Sequence, residues 1–334
     1  MSGAIVSTVE VLRGDVVESR HRVSIAVVGG AGALLAWSGD PDRLVYARSA
    51  IKPMQALPLV DDGVADRFGF TDAELALACA SHSGEPFHVD AARSMLRKAG
   101  VDENALACGP HAPYSQAAAS ELAARGEAPG RVHNNCSGKH AGMLALARAH
   151  DWPLAGYHEM EHPVQQRMLA ELCRWSGTAA EQVQIAVDGC GVATFALPLR
   201  SLATAFATLA RAAHVGVEGP SRIVAAMATH PEMVGGTDRL CTRVLRASGG
   251  SVFLKVGAEG VYCAASPEAD VGLALKVEDG AGRAAEPALL AALGRLGLLD
   301  DGQLEMLRDR AEPVIRNTRG EVVGVVRTSI TMQD

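Results

Sequence analysis

The chain has 334 residues, 48% of them apolar, enough to bury one large core or two adjoining layers without covalent staples. A formal charge of −7 with acids and bases interspersed, and only 4% aromatic residues, exclude the basic face and the stacking platform that a nucleic-acid partner selects. Seven scattered cysteines, no basic leader and no run near the ~20 apolar residues that span a bilayer lead us to expect a cytoplasmic protein with no membrane partner.

In chain order, Ala4–Leu12, Val16–Val28 and Ala33–Trp37 alternate as strands, separated by turns at Arg13-Gly14-Asp15 and Gly29-Gly30-Ala31-Gly32. A strand follows the glycine cluster, so it is not a dinucleotide fingerprint. From Ser49 to about Glu171 the pattern is helical. Thr71 and Glu74 form a capping box, Pro86 suits a first turn, and Gly100 sits where a C-cap belongs. Further helices are expected at Ser115–Ala124, Gly138–His150 and Pro163–Trp175. A second β signal, Gln184–Ala196, is interrupted by Asp188-Gly189-Cys190-Gly191, and helices continue through Ala247. Ser251–Val256 and Val261–Ala265 read as a hairpin, followed by a strand at Gly272–Val277, helices at about Pro287–Leu296 and Gln303–Asp309, and a last strand at Glu321–Arg327. Strands at both ends and helices between them predict an α+β fold. Its antiparallel sheet is drawn from residues 1–48 and 248–334, flanked by helices, with 49–247 inserted as a mostly helical region of a single unit, 1–334.

Three clusters carry chemistry. Ser49 and Lys52, in Arg48-Ser49-Ala50-Ile51-Lys52-Pro53, share one face of a helix entry, so the amine can reach the hydroxyl; Pro53 is tolerated there because first-turn N–H groups lack intrahelical acceptors. Ser81 lies in the loop Ala80-Ser81-His82-Ser83-Gly84, and Lys255 precedes Val256-Gly257 on a late strand. Ser-x-x-Lys, an interhelical serine loop and Lys-x-Gly follow the active-site order of penicillin-binding proteins and class A β-lactamases. Taken singly, Ser81 reads equally as a helix-end residue and Lys255 as a strand-edge charge. In the third cluster, Cys136 and Cys190 sit in polar, glycine-rich turns rather than apolar runs, a setting for a soft-leaning divalent ion such as zinc, completed by a nitrogen from Lys139 or His140. Without a CxxC pair, both thiols also read as small turn-packing residues.

Arg-Ser-x-x-Lys-Pro, Ser-His-Ser-Gly-Glu, His-Asn-Asn-Cys-Ser-Gly-Lys-His-Ala-Gly-Met and Asp-Gly-Cys-Gly occur here in order and together resemble the rhizobial-type L-asparaginases. The resemblance runs over essentially the whole chain. It implies a serine-β-lactamase-like fold, a homodimer, L-asparagine as the small-molecule substrate, and two Ser–Lys tandems: Ser49 with Lys52 and Ser81 with Lys255. It also implies zinc held by Cys136, Lys139 and Cys190.

On this reading Ser49 attacks the side-chain amide and a neutral Lys52 takes its proton. An amine of ordinary pKa ~10.4 must be lowered for that, by burial and a cationic Lys255. Ser81 relays a proton to the departing ammonia, and backbone N–H groups of Ser49 and of the strand near Gly257 make the oxyanion hole. Arg48 is the expected partner of the substrate carboxylate and Asp188 of its ammonium, with His140 also at the substrate; Arg48 and Asp188 read alternatively as ordinary surface charges. Rival functions are a D-amino-acid peptidase or β-lactamase on the same scaffold, and a zinc- or redox-responsive binding protein built on Cys136 and Cys190.

Overall fold

The computed structural model describes residues 6–334. Its strands are β1 (Ser7–Arg13), β2 (Val16–Gly29), β3 (Leu34–Ser38), β4 (Leu44–Tyr46), β5 (Gln184–Val187), β6 (Ala193–Pro198), β7 (Phe253–Gly257), β8 (Val261–Ser266), β9 (Val271–Val277), β10 (Val314–Arg316) and β11 (Val322–Ser329). The expected beginning of the first strand at Ala4 lies outside the described residues.

The large sheet has the order β10-β11-β1-β2-β9-β8-β7, with β3 also paired to β2, and every pairing is antiparallel. The length of β2 makes this possible: β1 and β3 pair with successive stretches of it, while Val23–Gly29 pairs with β9. The α+β arrangement expected from the strand distribution, a sheet from both ends of the chain flanked by helices, is the one observed. Its central strands are covered on both faces; β8 is buried at every position, which the continuous apolar run Val261–Ala265 allows. Helix Leu199–His214 packs on β2, β8 and β9, and helix Gly282–Arg295 packs on β1, β8, β9 and β11. Helices Lys52–Asp61, Asp72–Ala78, Ser137–Ala149, Pro163–Ser176 and Glu218–Thr229 pack on one another beyond that layer.

A small sheet of order β4-β6-β5 positions the site. Its three-residue strand β4 is too short to show alternation and is absent from the sequence reading, as is β10. The chain leaves β4 through Ala47, whose N–H donates to Phe195 O at 2.9 Å, and enters a single 3-10 turn, Arg48–Ile51, that packs against the edge strand β7. The hairpin β5–β6 carries Asp188–Gly191 at its tip. Local signals elsewhere hold: Thr71 and Glu74 make both bonds of the capping box, and Gly100 has φ +64°. The helix expected from about Pro287 begins earlier, so Pro287 lies inside helix Gly282–Arg295, and the expected helix at 303–309 is two short helices, Asp301–Met306 and Arg308–Ala311, the first opened by an Asp300–Gln303 capping box. No helix among the described residues is long and apolar enough to cross a membrane.

Gly272 on β9 lets helix Leu199–His214 approach the sheet, since a Cβ there would lie 2.4 Å from Ala207 N and 2.6 Å from Ala203 O. Both neighbours are backbone and cannot rotate away. Gly272→Ala is therefore expected to destabilise the fold by about 2–3 kcal/mol. Gly282→Ala, where a Cβ meets nothing within 4 Å, is expected to be neutral or slightly stabilising. Denaturant midpoints of the two variants check the contrast.

Candidate active site

The turn carrying Ser49 is held under strain. Arg48 has φ +50°, a left-handed conformation costing a side-chain-bearing residue about 1–3 kcal/mol. Its guanidinium is anchored, with Nε donating to Asp188 Oδ1 at 2.6 Å, across to the β5–β6 hairpin. The hairpin tip turns tightly because Gly191, at φ +90°, donates to Asp188 O at 2.9 Å. Arg48 and Asp188, expected to receive opposite ends of a substrate, are thus brought together as an ion pair. Ser49 is half-buried, and its side chain makes no hydrogen bond among the described residues.

Lys52 opens helix Lys52–Asp61 and is completely buried. The spacing put its amine within reach of Ser49, but the amine turns inward. It donates to Ala80 O at 2.5 Å, Ser81 Oγ at 3.1 Å and Cys136 Sγ at 3.2 Å, three acceptors for the three N–H bonds of an ammonium.

Ser81 follows helix Asp72–Ala78 in irregular chain, and its N–H donates to Val234 O at 3.1 Å. Lys255, also fully buried, reaches in from β7 to within 2.8 Å of Ser81 Oγ and donates to Val256 O at 3.0 Å. One serine hydroxyl therefore lies between two buried amines. Burial, and then the charge of Lys52, lower the Lys255 pKa to about 7. The sequence reading had Lys255 as the cation that lowers Lys52. In the structure Lys255 is itself a lowered amine, with one carbonyl and the hydroxyl to bond, while three acceptors surround Lys52.

The sulfur cluster adjoins this pair. Cys136 is the N-cap residue of helix Ser137–Ala149 and its thiol couples to that of Cys190, while Lys139 Nζ, three residues further on the same face, donates to Cys190 Sγ at 3.0 Å. Interaction with the Cys136 thiol, and then the Lys139 charge, bring Cys190 down to about 5 despite its burial, and the same interaction together with burial raises Cys136 to about 12. Burial acts to lower Lys139, but the facing Cys190, Cys136 and Asp188 outweigh it and hold the amine above the ordinary lysine value. Two sulfurs and one nitrogen converge, a donor set suited to zinc.

The surrounding motif residues tie these groups together. Asn134 Oδ1 accepts from Cys136 N at 2.9 Å and its Nδ2 donates to Gly109 O at 2.9 Å. His82 N–H donates to Asn135 O at 3.1 Å; its Nδ1 accepts from Gly84 N at 3.1 Å, which leaves Nε2 to donate to Ser137 Oγ at 2.9 Å. The Ser81 loop and the Cys136 loop are thereby pinned to each other. Gly138 is required by close approach, since a Cβ would sit 2.4 Å from Leu77 O. His140 turns away from Lys139 toward Tyr157, with Nδ1 2.6 Å from the phenol oxygen, while its Nε2 is buried without a partner among the described residues. Burial, and then Lys139, hold the ring well below the ordinary histidine range, so it is neutral. Tyr157, which the sequence reading did not single out, also accepts from Ala107 N at 2.9 Å. It sits in irregular chain far from any motif, so only its burial reveals it.

The family described as L-asparaginase II matches this chain over residues 9–328. Among solved structures, a β-lactamase from Mycobacterium bovis is similar at 18% identity and a TM-score of 0.39, over 78% of this chain and 88% of that one. Mglu in its native form is similar at 18% identity and a TM-score of 0.36, over 85% of this chain and 66% of that one. A comparison with curated proteins found no match.

Tyr157→Phe removes the partner of both His140 Nδ1 and the Ala107 N–H. Leaving two buried polar groups unpaired is expected to cost about 2–4 kcal/mol of stability. A shift of the denaturant midpoint without change in slope would verify it.

Proposed function

Because this chain belongs to the L-asparaginase II family, a family of amide hydrolases, we propose that it hydrolyses the side-chain amide of L-asparagine to aspartate and ammonia through an ester on Ser49. On its four ordered motifs we also propose that it is of the rhizobial type. The observation that carries the mechanism is Ser81 Oγ lying 3.1 Å from one buried amine and 2.8 Å from another.

With Lys255 neutral, a proton passes from Lys52 through the Ser81 hydroxyl to Lys255, which frees Lys52 as a base. Ser49 Oγ then bonds to the amide carbon as its proton goes to Lys52. The Ser49 N–H, at the start of a helical turn, and the β7 backbone near Gly257 stabilise the oxyanion. The C–N bond breaks as Lys255 returns its proton through Ser81 to the nitrogen, which leaves as ammonia. Water next attacks the ester, its proton passes to the amine pair, and Ser49 regains its hydrogen. Arg48 and Asp188 exchange their mutual contact for the substrate carboxylate and ammonium, and the unpaired Nε2 of His140 offers a further polar contact.

Cys136, Lys139 and Cys190 would hold a zinc ion, leaving the fourth position of an open site for water or substrate. When bound, the ion supplies a Lewis-acid contact that fixes the substrate. Lys139 must lose its proton to coordinate, so metal affinity falls as pH falls.

Ser49→Ala is expected to lower asparagine turnover at least about 1,000-fold while costing no more than about 1–2 kcal/mol of stability. Lys52→Arg is expected to be nearly as damaging as Lys52→Ala, because arginine keeps the charge and cannot serve as a base. Ammonia release measured on folded protein decides both, and substantial turnover by Ser49→Ala would remove the nucleophile assignment.

The pH dependence follows from Lys255. Below about 7 Lys255 is protonated and cannot take the relayed proton; above it Lys255 is neutral and can. A plot of kcat/KM against pH is expected to rise through a midpoint near 7, and a flat profile across that range contradicts the shared-proton scheme.

For the metal, Cys136→Ser or Cys190→Ser is expected to reduce copurifying zinc, and to raise KM more than it lowers kcat. Metal analysis and kinetics on one preparation supply both readouts.

A further inference from the structure

A surface pocket of about 370 Å³ opens beside the Ser81 loop, with Ser83, Glu85, Tyr114, Thr237 and Arg239 in its walls. Its walls continue segments already at the catalytic centre. Ser81 N–H donates to Val234 O at 3.1 Å and Ser83 Oγ donates to Gly235 O at 2.9 Å, so the two segments run side by side. Two residues of chain span at most about 7 Å, which keeps the Ser83 wall within that backbone distance of Ser81. The Tyr114 wall is tied on by Ser115 N–H donating to Ser83 O at 2.9 Å.

Of the two arginines in the pocket walls only Arg310 has an ion pair among the described residues, and the Glu85 carboxylate is held by hydrogen bonds alone. Glu85 accepts from Thr237 N at 2.9 Å and from Thr237 Oγ1 at 2.5 Å. Arg310 pairs with Asp238 at 2.7 Å and Glu286 at 3.2 Å. The half-buried Arg239 guanidinium lies over the Tyr114 ring, 5.5 Å from its centroid, with no hydrogen bond or ion pair among the described residues. Its charge also reaches Lys255 and adds to the lowering of that amine. A guanidinium stacked on an aromatic ring, with its planar fork of donors unused, is a receptor for a carboxylate.

We propose that this pocket is a leaving-group subsite in which Arg239 binds a carboxylate on the departing amine, so that the enzyme also cleaves β-aspartyl amino acids. This rests on the asparaginase reading above, in which Ser81 delivers the proton to the departing nitrogen. The leaving group is then on the Ser81 side, where the loop runs on into the pocket. Arg48 and Asp188 take the carboxylate and ammonium of the aspartyl half, and Arg239 takes the second carboxylate, two bonds from the scissile nitrogen. Ser49 Oγ bonds to the side-chain carbonyl carbon, the C–N bond breaks, and a proton passes through Ser81 to the amino-acid nitrogen. Water then hydrolyses the ester to aspartate.

The test uses the full-length enzyme and three substrates: L-asparagine, β-aspartyl-alanine, and β-aspartyl-alaninamide, which lacks the second carboxylate. The wild type is expected to cleave β-aspartyl-alanine with a kcat/KM about 10- to 100-fold above that of the amide, the range for one charge-assisted bidentate contact. Arg239→Gln is expected to abolish that preference and to lower the ratio of β-aspartyl-alanine to asparagine turnover by a similar factor; Arg239→Lys retains part of both. These ratios do not depend on how much of a variant folds. Asparagine turnover with no cleavage of β-aspartyl-alanine, or acid-over-amide preference unchanged in Arg239→Gln, overturns the subsite alone. β-Aspartyl-alanine cleavage without asparagine turnover overturns the asparaginase reading and leaves the subsite standing; failure of both substrates overturns both. If free L-alanine alters turnover at saturating asparagine while β-aspartyl-alanine is not cleaved, the pocket is an effector site and the proposal fails.

Discussion

Two lysine amines buried around one serine hydroxyl set the terms for everything else in this protein. Neither amine is exposed to water, so protein groups must supply the hydrogen bonds and one of the two positive charges is disfavoured. Lys52 meets three acceptors, Ala80 O, Ser81 Oγ and Cys136 Sγ; Lys255 meets Val256 O and the same hydroxyl. Burial, and then the charge of Lys52, lower Lys255 to about 7, near the pH at which an amine is useful as a base. The result depends on elements distant in sequence: the entry of helix Lys52–Asp61, the loop after helix Asp72–Ala78, and the edge strand β7.

The second support is the small sheet. It gathers the strained Arg48 turn and the Asp188–Gly191 hairpin tip, and the 2.6 Å contact between Arg48 and Asp188 joins them. From Asp188 the polar chain continues through Cys190, Lys139 and Cys136 to Lys52. Charge and hydrogen bonding along it are mutual: Lys139 stays protonated because it faces Cys190, and Cys190 is ionised because Cys136 and Lys139 face it. Arg48 and Asp188 are already paired with each other, so a substrate carrying both charges, as proposed above, would exchange partners with them and would not meet unpaired buried ions.

Much of this was legible in the sequence where the signal is local. The Thr71–Glu74 capping box, the Gly100 helix end and the β7–β8 hairpin are short-range features and appear in the structure with small shifts of boundary. The ordered motifs also named the serines, lysines and thiols that the fold gathers. The resemblance also paired Ser81 with Lys255 and grouped Lys139 with Cys190, contacts that the structure contains, but other partners were not legible. The spacing of Ser49 and Lys52 says the amine can reach the hydroxyl, yet its direction is set by Ala80 and Cys136, 28 and 84 residues away. The pairing of Arg48 with Asp188 spans 140 residues and has no local trace. Tyr157 and the three-residue strands β4 and β10 lacked any periodic signal, and Pro287 misled because a helix tolerates it beyond the first turn when flanking packing is strong.

We propose that the shared-proton pair serves covalent catalysis at Ser49. Rapid quenching of the enzyme during asparagine turnover, followed by mass analysis of its peptides, tests that claim most directly. The account predicts one aspartyl adduct, carried by the peptide containing Ser49 and lost when Ser49→Ala is quenched in the same way. An aspartyl adduct on the peptide containing Ser81, with none on that of Ser49, would contradict it and exchange the roles of the two serines.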